Sequence, residues 1–161
     1  MGSHSSRDVV RLAIPSHPRY LCMVRRVATE AAQHVGFSPD ETKHIVLAID
    51  EACSNVIKYS YAGDHTKRIM IALEMADGGL TVRLRDFGRK PDLGQIRSRR
   101  LEDVKPGGLG VHFMQTIMDE VEYDVSPRIG TELRMVKRRK CAVEDRGDEG
   151  IAGDRSQWKR I

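Results

Sequence analysis

The chain has 161 residues, 40% of them hydrophobic, which suits one domain with a real core and a loose tail. Charged residues make up 31%, aromatics only 5%, and the net charge is +4. This composition argues against a disordered chain, a membrane span of roughly 18 apolar residues, and a base-stacking nucleic-acid platform.

Residues 1–7 hold no apolar run of the kind a secretory signal needs and read as a disordered N-terminus or tag remnant. The three cysteines, Cys22, Cys53 and Cys141, are odd in number and far apart. They suggest neither a zinc site nor a disulfide framework, and they suit a reducing cytoplasm. Cys22 and Cys53 fall inside predicted helices and read as small apolar packing residues.

Residues 9–14 alternate loosely and stop at Pro15, as a strand does. Pro18 opens a helix predicted to run to about His34, with Gly36 as its stop. Ser38-Pro39-Asp40-Glu41 is a helix start with a capping box, and the apolar stripe Ile45, Ile49, Ala52, Val56 carries that helix to about Tyr59. Two strands follow, at 68–76 and 80–85, joined by the hairpin signal Asp77-Gly78-Gly79. Residues 86–110 are glycine-rich and charged, too long for an ordinary connector, and read as a functional lid. A helix from Leu109 to about Met118 and strands at 120–125 and 131–137 complete a domain spanning 8–138. Residues 139–161 read as a polar C-terminal tail containing Trp158. The order predicts a two-layer α/β sandwich: a mixed, mostly antiparallel sheet with three helices on one face.

Three features carry chemistry. Glu51, Asn55 and Lys58 fall within about 60° of one another on one face of an ideal helix. A carboxylate, an amide and an ammonium in a row suit a metal–phosphate ligand, because an amide oxygen can bind Mg²⁺ and a carboxylate can take a proton. The same row is also what a solvated charge stripe looks like. Asp86-Phe87-Gly88 follows a strand directly, where a carboxylate can accept from an exocyclic amine such as that of adenine, or simply form a turn. Gly107-Gly108-Leu109-Gly110 opens a helix whose N-terminal N–H groups favour anions, or serves as a hinge. No P-loop or dinucleotide fingerprint is present, and the D-F-G triplet lacks the H-R-D that would make it a protein-kinase signature.

Together, in this order, these pieces resemble the GHKL (Bergerat) ATP-binding superfamily of histidine kinases, gyrase and MutL. D-E-A-C-S-N-V-I-K-Y-S-Y (50–61) resembles its N box, and R-D-F-G-R-K-P-D (85–92) its first glycine box. G-G-L-G-V-H-F-M-Q-T-I-M-D-E-V-E-Y (107–123) resembles the second, and Ile129-Gly130-Thr131-Glu132-Leu133 the last. Within the superfamily the chain is most similar to the bacterial anti-sigma-factor serine kinases, the RsbW-like group. One departure is Lys90 followed by Pro91 where many members have a second glycine.

The resemblance implies an ATP- and Mg²⁺-dependent protein serine kinase, typically a cytoplasmic homodimer without direct nucleic-acid or membrane contact. Such a kinase sequesters a sigma factor and phosphorylates a serine of an anti-anti-sigma (STAS-domain) protein. By position, Glu51 would be the general base and Asn55 the Mg²⁺ ligand, with Lys58 a phosphate contact. Asp86 would bind the adenine amino group, Gly88 would line the base pocket, and Thr131 would close the adenine side. Gly108, Leu109 and Gly110 would form the phosphate-facing turn, and Arg97, Arg99, Arg100 and Lys105 would sit on the lid. A non-catalytic ATP-binding switch in a partner-switching pathway is the alternative. The ATP-binding half of a histidine kinase is not expected, since the residues before 8 are too few for a phospho-acceptor helix pair.

Overall fold

A computed structural model describes residues 8–91 and 109–140. Lys105, Gly107, Gly108, the lid arginines, Cys141 and Trp158 lie outside the described residues.

Strand β1, Asp8–Pro15, ends where proline removes the ladder donor. A single 3₁₀ turn, Pro18–Tyr20, precedes α1, Leu21–Val35, so the helix predicted to open at Pro18 begins with a tighter turn capped by the His17 ring. Leu21, Val24, Ala28, Ala31, Ala32 and Val35 recur at 3–4 spacing and are buried. Cys22 corrects its expected packing role: it is exposed, whereas Cys53 is buried.

Helix α2, Pro39–Asn55, begins with the expected capping box: Glu41 N donates to Ser38 Oγ at 3.3 Å, and Ser38 N donates to Glu41 Oε2 at 2.9 Å. The helix does not stay regular to Tyr59. Residues Val56–Ser60 form a π turn, closed by Tyr61 N donating to Val56 O at 3.0 Å. Such turns change the angular register of everything after them, and they recur at functional sites.

Strands β2, Arg68–Ala76, and β3, Gly79–Arg85, form the expected hairpin. Helix α3, Leu109–Ile117, leads into β4, Glu120–Asp124, and β5, Glu132–Arg138. The sheet order is β1-β2-β3-β5-β4, and all four pairings are antiparallel. The three helices cover one face. Ile69, Ile71, Leu73, Leu80, Val82, Leu84, Leu133 and Met135 point into that layer against Val24, Ala28, Ile45, Ile49, Ala52 and Met114. Burying each large aliphatic side chain is worth about 1.5–3 kcal/mol before conformational entropy is counted.

The opposite face is bare among the described residues and carries cross-strand ion pairs. Arg83 bonds Glu74 at 2.8 Å and Glu132 at 3.0 Å, and Arg134 bonds Glu120 at 2.7 Å and Glu122 at 3.1 Å. Exposed pairs of this kind contribute little each; their alternation with small residues keeps the face solvated. Among the described residues no helix is long and apolar enough to cross a membrane.

Candidate nucleotide site

The site lies where the end of α2, the first turn of α3 and the adjoining ends of β3 and β5 converge. Each sequence feature singled out above comes from a different one of these elements.

Glu51 and Asn55 sit one turn apart near the end of α2 and are half-buried. Lys58 falls in the π turn and is exposed, so the row of three drawn on an ideal helix is broken after Asn55. The π turn, invisible to a 3.6-residue projection, is the physical reason.

Glu51 meets α3 at Gly110. A Cβ built on Gly110 would lie 1.8 Å from Glu51 Oε1 and 2.5 Å from its Cδ. Only a residue without a side chain lets the first turn of α3 approach that carboxylate so closely. The contact joins the candidate proton acceptor to the helix end that the glycine-rich segment opens, where N–H groups and the helix dipole favour negative charge. Tyr123 on β4 closes the far side; burial, and then the negative charge of Glu51, push its phenol up to about 12.

Asp86 follows β3 and continues its ladder for one more pair. Asp86 N donates to Thr131 O at 3.0 Å, and Thr131 N donates to Asp86 O at 3.3 Å. The Asp86 side chain enters the helix layer and is only 3% exposed. Gly88 N donates to its Oδ1 at 2.8 Å. Burial raises the Asp86 pKa above the ordinary carboxylate value; the Gly88 N–H, the charge of Arg85 and the Ser60 hydroxyl oppose that shift without overcoming it. A carboxylate whose burial outweighs the charge of its neighbouring arginine is a binding-site candidate on physical grounds.

Thr131 supplies a second buried polar group. It is 3% exposed, and among the described residues its Oγ1 has no hydrogen-bond partner. Ser16 Oγ and Thr42 Oγ1 are likewise unpartnered among the described residues; what sets Thr131 apart is its place beside Asp86, where it fits a polar ligand edge.

Gly88 packs as closely as Gly110, but against backbone: a Cβ there would lie 2.2 Å from Ser60 O. Arg89 N donates to the same carbonyl at 2.8 Å, tying the loop after β3 to the end of the π turn. Tyr61 locks this junction from below, its hydroxyl donating to Arg68 O at 2.5 Å and accepting from Phe87 N at 2.9 Å. Gly130, at φ +69°, completes the turn before Thr131 and lies against Asp86 O.

Sequence reasoning missed Tyr61, Ser60, Tyr123 and Arg85 as parts of this site. Tyr61 and Ser60 were within the quoted helix motif, but their contacts depend on the π turn. Two surface hollows, of about 340 and 440 Å³, lie elsewhere, beside α1 and on the bare sheet face, and neither includes Glu51, Asn55 or Asp86.

The donor set also bears on a cation. Among the described residues no three His, Cys, Asp or Glu side chains group as a metal site. An ion beside Asn55 would therefore take one amide oxygen and complete its shell from phosphate and water, as Mg²⁺ does readily.

The sequence matches the histidine kinase-like ATPase domain over residues 14–137. It is 28% identical over 141 residues to the serine-protein kinase RsbW of Bacillus subtilis, covering 83% of this chain and 87% of that protein. It is 24% identical over 160 residues to the serine-protein kinase RsbW of Halalkalibacterium halodurans, covering 94% and 96%. Among solved structures, the RsbU and RsbW domains of a Mycobacterium tuberculosis protein superpose with a TM-score of 0.61 at 20% identity, over 81% of this chain and 32% of that one. A chain of the SiaB-SiaC complex from Pseudomonas aeruginosa superposes with a TM-score of 0.61 at 14% identity, over 79% of this chain and 88% of that one. At these identities the two structures bear on the fold alone.

Proposed function

From the premise that this chain belongs to the histidine kinase-like ATPase domain family, we propose that it is an ATP- and Mg²⁺-dependent protein serine kinase. Its substrate is a serine of a STAS-domain anti-anti-sigma protein, and its second partner is a sigma factor that it sequesters. A homodimer is the expected assembly. The observation that carries the reading is the contact between the Glu51 carboxylate and Gly110. It unites a proton acceptor and an anion-binding helix end at one point, as phosphoryl transfer requires and nucleotide storage alone does not. The likeness to serine-protein kinases over most of both chains supports it.

In this reading Asp86 accepts a hydrogen bond from the adenine amino group, Thr131 offers its unpaired hydroxyl to the same base edge, and Gly88, packed on Ser60 O, lines the pocket wall beside them. Asn55 holds Mg²⁺ through its amide oxygen; bound there, the ion neutralises phosphate charge. Gly108, Leu109 and Gly110 present backbone N–H groups to the phosphates, and Lys105 on the lid contributes charge. Lys58, exposed on the π turn, acts on the phosphates only at their outer edge. Glu51 takes the proton of the substrate serine as its oxygen bonds to the γ-phosphorus and the bond to the leaving ADP breaks.

The test is transfer of labelled γ-phosphate to a STAS-domain partner. Wild type should transfer it, and Glu51→Ala should lose transfer while still binding nucleotide. A Glu51→Ala protein working at the wild-type rate removes the assigned role. A wild type that binds ATP but transfers to no such partner selects the non-catalytic switch.

A further inference from the structure

Arg85 is the last residue of β3, opposite Met70 on β2 and Glu132 on β5. Strand alternation puts its side chain on the bare face of the sheet, while Asp86 next to it turns into the helix layer. Arg85 therefore cannot touch a ligand held over Asp86. It nonetheless grips the site from behind. Its Nη1 donates to Asp86 O at 2.5 Å and its Nη2 to Ile129 O at 2.6 Å. Its guanidinium carbon lies 4.7 Å from the centre of the Phe87 ring. Glu132, its cross-strand partner on β5, is already bonded by Arg83 at 3.0 Å.

The two carbonyls belong to the two segments that present Asp86 and Thr131. Of the two ladder bonds that join these segments, Asp86 N to Thr131 O is an ordinary 3.0 Å and Thr131 N to Asp86 O is stretched to 3.3 Å, both longer than the bonds of the Arg85 fork. The turn at Gly130 sits directly against Asp86 O, with no side chain to wedge it in place. The guanidinium fork is thus the short, charged link across the junction, and a fork spans two acceptors in a way an ammonium cannot.

We infer that Arg85 is a positioning residue for base selection: it fixes the separation of the Asp86 carboxylate and the Thr131 hydroxyl, so that the site prefers a purine carrying an exocyclic amino group at the edge Asp86 faces. This rests on Asp86 as the base acceptor proposed above.

The experiment measures dissociation constants of ATP and of purine riboside triphosphate, which lacks only that amino group, by displacement of a fluorescent nucleotide. Wild type, Arg85→Met and Arg85→Lys are compared, with inorganic tripolyphosphate as a competitor that has no base. Wild type should prefer ATP at least about tenfold, the effect of one hydrogen bond to a charged group. Arg85→Met, which keeps length but loses the fork, should bring the ratio to within about twofold, and Arg85→Lys should do the same because one ammonium cannot bridge both carbonyls. Tripolyphosphate should compete equally in all three; a loss there signals general loosening and overturns the inference. A wild-type preference kept in Arg85→Met, or fully restored by lysine, also overturns it and leaves the base pocket standing. A wild type without preference overturns the base-pocket reading and the inference together.

Discussion

Replacing Gly110 with alanine tests whether the Glu51–α3 contact sets catalytic geometry. The new Cβ would fall 1.8 Å from Oε1, 2.5 Å from Cδ and 2.8 Å from Cγ of Glu51, against a floor of 3.0 Å for real contacts. All three atoms belong to the outer part of a flexible side chain, so the carboxylate swings away by more than about 1 Å while the helices hold their places. The fold should barely register this. Alanine in a helix is worth up to about 1 kcal/mol over glycine, and an off-rotamer Glu51 costs about 0.5–1.5 kcal/mol, so the two nearly cancel. Transfer should suffer far more, because a displacement of about 1 Å at a reacting group costs on the order of 100-fold, or about 2.7 kcal/mol on the barrier. The assay pairs initial rates of serine phosphorylation at saturating ATP with a thermal melt of the same preparation. Expected is a midpoint within a few degrees of wild type and a kcat lower by about two orders of magnitude. A wild-type kcat refutes the claim that this contact places the base. A collapsed midpoint refutes it differently, by showing that the helix gave way and the carboxylate did not.

Other substitutions probe the remaining parts of the site and fold. At Gly88 the obstruction is backbone, 2.2 Å away at Ser60 O, so alanine there cannot be relieved by a rotamer change; nucleotide binding should be lost and stability should fall by about 1–3 kcal/mol, read by denaturant titration. Asp86→Asn should abolish ATP binding in calorimetric titration without lowering the melting temperature of the free protein. Because burial holds the folded-state pKa of Asp86 above its unfolded value, its ionisation works against the fold: the stability it contributes is complete below the unfolded pKa and is lost as pH rises through the folded one. The advantage of asparagine in melting temperature should thus be largest at neutral pH and shrink on acidification through the carboxylate range; an advantage that grew instead would contradict the assignment. Ser38→Ala removes half of the capping box and should cost about 1 kcal/mol, or about 2–4 °C in melting temperature, with nucleotide affinity unchanged.

What could be read from the sequence was local. The capping box at Ser38 and Glu41, the proline ends, the hairpin at 77–79 and the 3.6-residue stripe of α2 each depend on neighbours within a turn or two; the capping box and the hairpin stand where expected, while α1 opens at Leu21 after the 3₁₀ turn at Pro18 and α2 gives way to the π turn after Asn55, short of Tyr59. Features that depend on distant contacts were hidden. The π turn after Asn55 is held by Tyr61, whose hydroxyl reaches Arg68 and Phe87, and no helical periodicity encodes that docking. The insertion of β5 between β3 and β4 likewise follows from which strands share the core with α2, not from the hairpin signals. Cys22, read as a packing residue from its place in a predicted helix, turns its sulfur toward Arg19 O at 3.1 Å on the outside of α1. The role of Arg85 requires knowing which face of the sheet it occupies.

The glycines explain why the sequence features are informative as a set and weak singly. Gly88 leaves room for Ser60, Gly110 for Glu51, and Gly130 for Asp86, so each absent side chain is the imprint of another motif. A change in any one element forces a collision with a second, and the constraints close on one another around one corner of the fold. The same closure accounts for its polar cost. Asp86 is buried at a desolvation cost that its hydrogen bonds and the charge of Arg85 do not fully offset, and the Thr131 hydroxyl is buried with no partner among the described residues, an arrangement that weakens the free domain. A fold under selection for stability alone would fill that corner with apolar side chains, as it fills the layer beneath with Ile49, Leu84 and Met135. On the function proposed above, nucleotide supplies the bond that the Thr131 hydroxyl lacks, so it should raise the melting temperature by an amount that rises with the logarithm of its concentration.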